Sequence, residues 1–257
     1  MFVNEKLIYL ALHKTGCSHV IKLLTSIPEL NGAIIGKHNT IDSVSKEELG
    51  DLSKKIKSGN VRNPWDWYVS LWAFGSMGKG GLYDKIINKS FFRKINHPAA
   101  FFTPVKKWKH VYSDTNNPEL FKAWLKMLLE SRRRDLSGFG DSKVPDAIGF
   151  LTYRYLNLYT HDFKKKIGDI KDFQQVREFD TQNNFLDFYI RNEHLEDDFR
   201  TLMKKVGTDE NTVKEMLKLP KTNRSQRKDY REYYDKEMIE LVREKDRLII
   251  EKHGYTF

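Results

Sequence analysis

The stretch KLIYLAL, residues 6–12, stops at the polar turn His13-Lys14-Thr15-Gly16, and a helical pattern starts directly after it. A short apolar run bounded by a turn has the look of a strand buried on both faces in a parallel sheet. Past the turn the spacing is helical. Val20, Leu23, Leu24 and Ile27 fall at i, i+3, i+4 and i+7, with Ser18 as the candidate N-cap and Pro28 at the far end. A turn between a buried strand and a helix N-terminus points several backbone N–H groups at one spot, which suits an anion. Gly16 permits close backbone approach, Lys14 adds a point charge, and Thr15 and Ser18 add hydroxyls.

The same alternation continues along the chain. A second short strand is expected over 33–35, leading into GKHNT, then a helix over 47–57 and a strand running into Val61. Pro64 suits the first turn of a helix carrying Trp65, Val69 and Trp72. Helices are expected over 118–134, 148–163, 195–206 and 213–219, and a strand over 175–179. A further apolar patch starts at 185–188. A long helix over 230–253 is expected to end with Gly254 at C′. Strands separated by helices argue for an α/β fold with a parallel β-sheet flanked by helices. With 257 residues the expectation is a single domain, 1–257. Within it, the glycine-rich, then basic and aromatic stretch 75–110 reads as a lid or a substrate-facing insertion.

Composition narrows the function classes. The net charge of +10 favours anionic partners such as nucleic acid, acidic glycans or a nucleotide, although a solvated basic surface gives the same number. The single cysteine excludes internal disulfides and CxxC zinc sites. HExxH and DxDxDG spacings are absent, so no metal is expected. No run of 18 apolar residues and no signal-peptide pattern occurs, and the expectation is a soluble, cytoplasmic protein with no membrane span.

A second segment, VRNPWDWYVSLW over 61–72, places Arg62 after a strand and Ser70 on the following helix. The first loop lacks the Walker A order GxxxxGK[ST], because its lysine precedes the glycine and no upstream glycine exists. Taken together, HKTGCSHV (13–20) and VRNPWDWYVS resemble the two nucleotide motifs of sulfotransferases that use 3′-phosphoadenosine-5′-phosphosulfate (PAPS). The tail PKTNRSQRKDYREYYDKEMIELVREKDRLIIEKHGYTF (220–257) is similar to that family's basic loop, closing helix and terminal Gly-Tyr. EHLEDDF (193–199) resembles a stretch common before that tail. The resemblance covers the first 75 residues or so and the last 65, and it leaves 76–180 without a specific match.

The resemblance implies a P-loop nucleotide-binding, sulfotransferase-like fold. It also implies PAPS as sulfate donor, adenosine 3′,5′-bisphosphate (PAP) as product, and in-line transfer of a sulfuryl group to a hydroxyl or amine. In this frame Lys14 neutralises the bridging oxygen. The N–H groups of residues 15–19, with Thr15, Gly16, Cys17 and Ser18, hold the 5′-phosphate. His19 is either a further phosphate contact or a helix-start surface residue. Arg62 and Ser70 are implied to grip the 3′-phosphate, and Arg224, Arg227 and Lys228 to close over it from the C-terminal loop.

Transfer needs a general base, and His38 in GKHNT occupies the matching place in motif order; its alternative is a loop histidine bonded to a carbonyl. His13 is the next candidate for contact with the site, and Glu193 is a more distant candidate for the base, read first as a structural carboxylate at a helix start. Cys17 reads as a small buried residue where the family has a hydroxyl. Trp65 and Trp72 read as core, although with Trp67 they have the look of a stacking platform. The acceptor is unspecified; an acidic saccharide is a candidate, with 75–110 and Arg132-Arg133-Arg134 as its lining. Two rival functions remain: a nucleoside-phosphate kinase or NTPase on a related P-loop scaffold, and a non-catalytic polyanion-binding module. No nucleic-acid partner is expected.

Overall fold

Four residues of the opening apolar run, Leu7–Leu10 (β2), form a fully buried strand in the middle of a five-stranded sheet. The computed structural model describes residues 1–87, 104–129, 139, 144–220 and 227–257. The other strands are Phe2–Val3 (β1), Ala33–Ile34 (β3), Ile56–Val61 (β4) and Phe188–Arg191 (β5), and the order across the sheet is β3-β1-β2-β4-β5. The helices that build the two units below are Cys17–Ser26 (α1), Pro64–Ser76 (α2), Pro118–Leu129 (α3), Phe150–Tyr159 (α4) and Phe173–Asn183 (α5). They continue with Leu195–Val206 (α6), Glu210–Leu217 (α7), Lys236–Lys245 (α8) and Arg247–His253 (α9).

The fold is α/β, but the sheet is mixed where the sequence led us to expect a parallel one. Strands β2, β4 and β5 are parallel, with Leu10 beside Gly59 and Val61 beside Arg191. Strand β1 runs antiparallel to both β2 and β3. The cause is Asn4. Its Oδ1 accepts from the amides of Lys6 (2.9 Å) and Leu7 (2.7 Å), and its own amide donates to Leu7 O (3.0 Å), so the chain doubles back.

Three local expectations are corrected in the same way. Residues 47–57 do not form one helix: a capping box between Ser45 and Glu48 starts Lys46–Leu49, and Gly50 at φ 64° ends it. Asp51 then caps a separate 3₁₀ turn ahead of β4. Residues 175–179 are helical, inside α5, because Val176, Phe179 and Asp180 are buried at i, i+3 and i+4. Residues 230–253 are broken into a 3₁₀ turn, α8 and α9, each begun by an aspartate: Asp229 and Asp235 accept from backbone amides, and Asp246 stands at the α8–α9 break. Gly254, at φ 66°, ends α9 as expected.

The chain divides into two compact units of interleaved segments. The first comprises Met1–Asn63, Arg154–Phe163 and Asp180–Arg224, and the second comprises Pro64–Tyr153, Lys164–Phe179 and Ser225–Phe257.

The first unit holds the sheet. Its core joins Leu7, Tyr9, Val20, Leu23 and Leu24 to Phe199, Leu202 and Met203 of α6. Each such side chain contributes about 1.5–3 kcal/mol on burial, whereas an exposed ion pair contributes about 0–1 kcal/mol. The unit is therefore held by this apolar layer and not by its surface charges. On β4 the buried residues are unusual, for Ser58, Gly59 and Asn60 are all buried. Glycine is needed at 59, since a Cβ there would lie 2.5 Å from the Tyr159 ring.

The second unit is built on α2, which is buried along most of its length. Trp65, Trp67, Tyr68 and Trp72 are fully buried, and the indole N–H groups of Trp65 and Trp72 donate to Ile239 O (3.1 Å) and Val111 O (2.7 Å). These tryptophans are core, not a stacking platform. Of the stretch 75–110, residues 88–103 lie outside the described residues; the described flanks include Gly81–Ile86 and the start of Val105–Val111, with Leu82, Ile86 and Trp108 buried. Arg132, Arg133 and Arg134 also lie outside them.

The second unit contains a buried carboxyl. Asp246 accepts from Tyr68 Oη (2.6 Å) and from the amide (2.8 Å) and hydroxyl (2.7 Å) of Thr152. Burial nonetheless pushes its carboxyl up from 3.8 to about 6, with those three bonds opposing the rise. A raised carboxyl contributes stability that is complete below 3.8 and is lost as pH rises through about 6. Equilibrium unfolding of wild type and Asp246→Asn should therefore diverge by about 2.5 kcal/mol between pH 4 and pH 8, with wild type losing ground as pH rises. A pH-independent difference contradicts this account.

Candidate functional site

Parallel pairing of β2, β4 and β5 brings three chain segments to one edge of the first unit's sheet: Ala11–Gly16 after β2, Arg62–Asn63 after β4, and Asn192–His194 after β5. The carboxyl ends of parallel strands are where open α/β sheets bind ligands. The sequence-predicted cradle lies on this edge.

Lys14 and Gly16 both have left-handed backbones, with φ 62° and 78°. Gly16, and not Ser18, occupies the N-cap position of α1. A side chain at 16 is excluded twice, by that φ and by Asn192 Oδ1 and Leu195 Cδ1, each 2.9 Å from where its Cβ would stand. The amides of His19 (2.9 Å) and Val20 (3.2 Å) donate to Gly16 O. The amides of Gly16, Cys17 and Ser18 head the helix, where no intrahelical acceptor reaches them. Thr15 is fully buried, and its hydroxyl donates to Leu12 O (2.7 Å), so it closes the turn from within. Lys14 is half-buried beside it.

Ser18 and Cys17 part ways. The Ser18 hydroxyl accepts from Lys37 Nζ (2.8 Å), which adds an exposed lysine to the head of α1. Cys17 packs into the core between the sheet, α1 and α6, and burial pushes its thiol up from 9.0, against the pull of Lys37 and Lys14. It is a packing residue. His19 is buried as well, which rules out the helix-start surface position weighed above.

The two histidines expected near the site are brought together. The rings of His13 and His38 stack at 3.4 Å between centroids and 20° between planes. His38 Nδ1 lies 2.6 Å from Ala11 O; a carbonyl only accepts, so Nδ1 carries the proton and Nε2 the lone pair. Arg154 Nη1 lies 2.9 Å from His13 Nδ1; a guanidinium only donates, so that nitrogen carries the lone pair. Burial pushes His38 down from 6.5 to about 4. The bond to Ala11 O opposes the shift, and the charges of Lys37 and Arg154 add to it.

Arg62 donates through Nη1 to Lys14 O (2.7 Å). The Glu193 carboxylate accepts from the Asn63 amide (2.7 Å). Ser70, Arg227 and Lys228 belong to the second unit. There Ser70 is buried on α2, Arg227 donates to Asp66, and the Lys228 amide donates to Tyr233 Oη (3.2 Å). Arg224 lies outside the described residues.

Three residues of this edge escaped the sequence reading: Lys37, Asn60 and Arg154. Lys37 had a signal, since it directly precedes His38. Asn60 is a polar residue in a strand, bonded to Thr15 O (3.1 Å), and Arg154 reaches His13 from a helix far along the chain. Spacing in the sequence carries no trace of that last contact.

Among the described residues no group of three or more His, Cys, Asp and Glu side chains is placed to hold a metal ion, and no helix is long and apolar enough to cross a membrane. A scan against protein-family models, a search of curated proteins and a search of solved structures each returned no match.

A lowered histidine contributes stability that is complete above 6.5 and is lost as pH falls through about 4. By NMR the His38 ring should titrate near pH 4, and unfolding free energy should decline from pH 6.5 downward in wild type more than in His38→Asn. A midpoint at 6.5 or higher contradicts the burial argument.

Proposed function

We propose that this chain is a sulfotransferase that moves a sulfuryl group from PAPS to an acceptor hydroxyl or amine. The observation that carries the reading is the meeting of Lys14, the head of α1 and the tautomer-fixed His38 at the carboxyl edge of the parallel strands. The motif resemblance supplies the identity of the donor, and the donor set fits it: lysine, arginine and helix-head amides suit phosphate and sulfate oxygens. The amides of Gly16, Cys17 and Ser18, with Lys14, would hold the 5′-phosphosulfate.

When bound, PAPS supplies an activated sulfuryl group on a phosphate leaving group. His38 Nε2 would take the proton that the acceptor oxygen or nitrogen gives up, and the Lys14 ammonium would meet the charge on the phosphate oxygen that the sulfuryl group leaves.

Two features suit His38 to this task. Its Nδ1–H bond to Ala11 O orients the ring, and its low pKa keeps it unprotonated at neutral pH. That low pKa also makes it a weak base in the free protein. A bound polyanion offsets the Lys37 and Arg154 charges that help to depress it, and so raises its basicity when the donor is present.

PAP should raise the melting temperature, because a ligand that binds only the native state stabilises it. At saturation, at 100 times its Kd, that effect is about 2.7 kcal/mol. Transfer of labelled sulfate from PAPS to a panel of saccharide, alcohol and amine acceptors should fall by roughly 10²–10³-fold in Lys14→Ala, and by roughly 10²–10⁴-fold in His38→Ala. A shift with ATP and magnesium but none with PAP would instead mark the chain as a kinase or NTPase. Wild-type activity in His38→Ala would remove that residue as base.

A further inference from the structure

We propose that Arg62 is a positioning residue, a strut whose guanidinium holds the Lys14 carbonyl and so keeps the turn in its left-handed form. The inference rests on the reading above in calling that turn a phosphate cradle. It departs from the 3′-phosphate role that the resemblance gives Arg62.

Lys14 and Gly16 both lie at positive φ, 62° and 78°. For glycine this carries no steric penalty, but a residue with a Cβ is disfavoured there and persists only where its surroundings hold it. Three side-chain hydrogen bonds reach backbone carbonyls around this turn. Thr15 Oγ1 donates to Leu12 O (2.7 Å), Asn60 Nδ2 donates to Thr15 O (3.1 Å), and Arg62 Nη1 donates to Lys14 O (2.7 Å). Only the last is charge-assisted, which makes it the strongest of the three, and it ends on the strained residue itself.

The origin of the two β4-side donors explains why they can act as a clamp. Asn60 lies in β4 and Arg62 just past its end, and β4 pairs with β2 in a fixed parallel register up to Leu10 and Gly59. Asn60 is itself fixed, since its Oδ1 accepts from Tyr9 Oη and its amide donates to Tyr159 Oη (2.9 Å). The strand therefore offers a rigid base. Because the peptide unit is planar and trans, holding the Lys14 carbonyl also fixes the direction of the Thr15 N–H, which points the opposite way. One arginine thus sets the peptide on which both the Lys14 side chain and the head of α1 depend.

Amide hydrogen exchange in the ligand-free protein tests the strut without needing a ligand. The reporters are the His19 and Val20 amides, both bonded to Gly16 O, and α6 serves as the control. Arg62→Ala should speed exchange at His19 and Val20 about tenfold and leave α6 unchanged. Arg62→Lys, which retains a charged donor, should restore at least part of the protection. Unchanged exchange at the turn in Arg62→Ala overturns the strut, and so does a uniform rise over turn and control alike. Should Arg62→Ala fail to fold, Arg62→Met keeps the apolar stem, removes only the donors and is judged by the same outcomes. Adding PAP to wild type judges the functional reading separately. No melting shift there removes that reading and leaves the exchange result standing on its own.

Discussion

A lysine with a left-handed backbone, held between two strands, is the constraint on which the rest of this site depends. The turn after β2 must reverse sharply enough to start α1 at Gly16 while keeping Lys14 at the sheet edge. Sequence supplies the glycine for the second left-handed position, but nothing in a lysine favours the first. The conformation is stabilised from outside, by hydrogen bonds from residues of β4 and from Arg62. Strand β4 is accordingly polar where a buried strand is usually apolar. Asn60 is fully buried and makes bonds with Tyr9, Tyr159 and the turn. A buried amide left unsatisfied costs about 1–3 kcal/mol, so this network works only when every partner is in place.

The electrostatics of the edge follow from the same convergence. Lys14, Lys37, Arg62 and Arg154 are carried by four different segments, and their partners among the contacts described above are a carbonyl, a hydroxyl and a neutral imidazole. Positive groups brought to one edge favour an anion there, and the Glu193 carboxylate on the Asn63 amide is one anionic group already at that edge. His38 records this field, since the Lys37 and Arg154 charges push in the same direction as its burial. Its stacked neighbour His13 is held with a lone pair toward Arg154, so the pair adds no positive charge of its own in that state.

The sequence made part of this arrangement legible, and the boundary has a physical reason. The apolar run, the turn and the i, i+3, i+4 spacing of α1 are local, and the sheet, turn and helix appear where the pattern puts them. The helix over Leu195–Val206 matched for the same reason, with its acidic first turn, basic last turn and Gly207 at the end. Two kinds of feature stayed out of reach. Antiparallel β1 is two residues long and depends on one asparagine side chain, which is too short a signal for any period. The breaks at Gly50 and Asp235 are decided by single caps, and the break at Asp246 falls on a residue whose carboxyl is bonded to Tyr68 and Thr152, contacts that only the tertiary fold makes. For the site, His13 and Lys14 were readable because they sit in the turn. Arg154 was not, because only the tertiary fold brings it to His13.

At Cys17 the core packing meets the head of α1. A threonine at that position would place a hydroxyl in the layer formed by Leu23, Leu24 and Phe199, where an unpaired polar group costs free energy. A thiol is a weaker donor and behaves there as a small apolar side chain. Next to the thiol, Ser18 is bridged to Lys37 at 2.8 Å. A lysine on this segment brings a full positive charge to the head of α1, and a charge acts on an anion more strongly than a neutral hydroxyl does. Under the proposed reading, the loop therefore need not bind its donor less tightly for having a cysteine. Its grip is moved from a side-chain hydroxyl to a cation contributed by the segment that also carries His38, which ties anion binding and the general base to the same short stretch of chain.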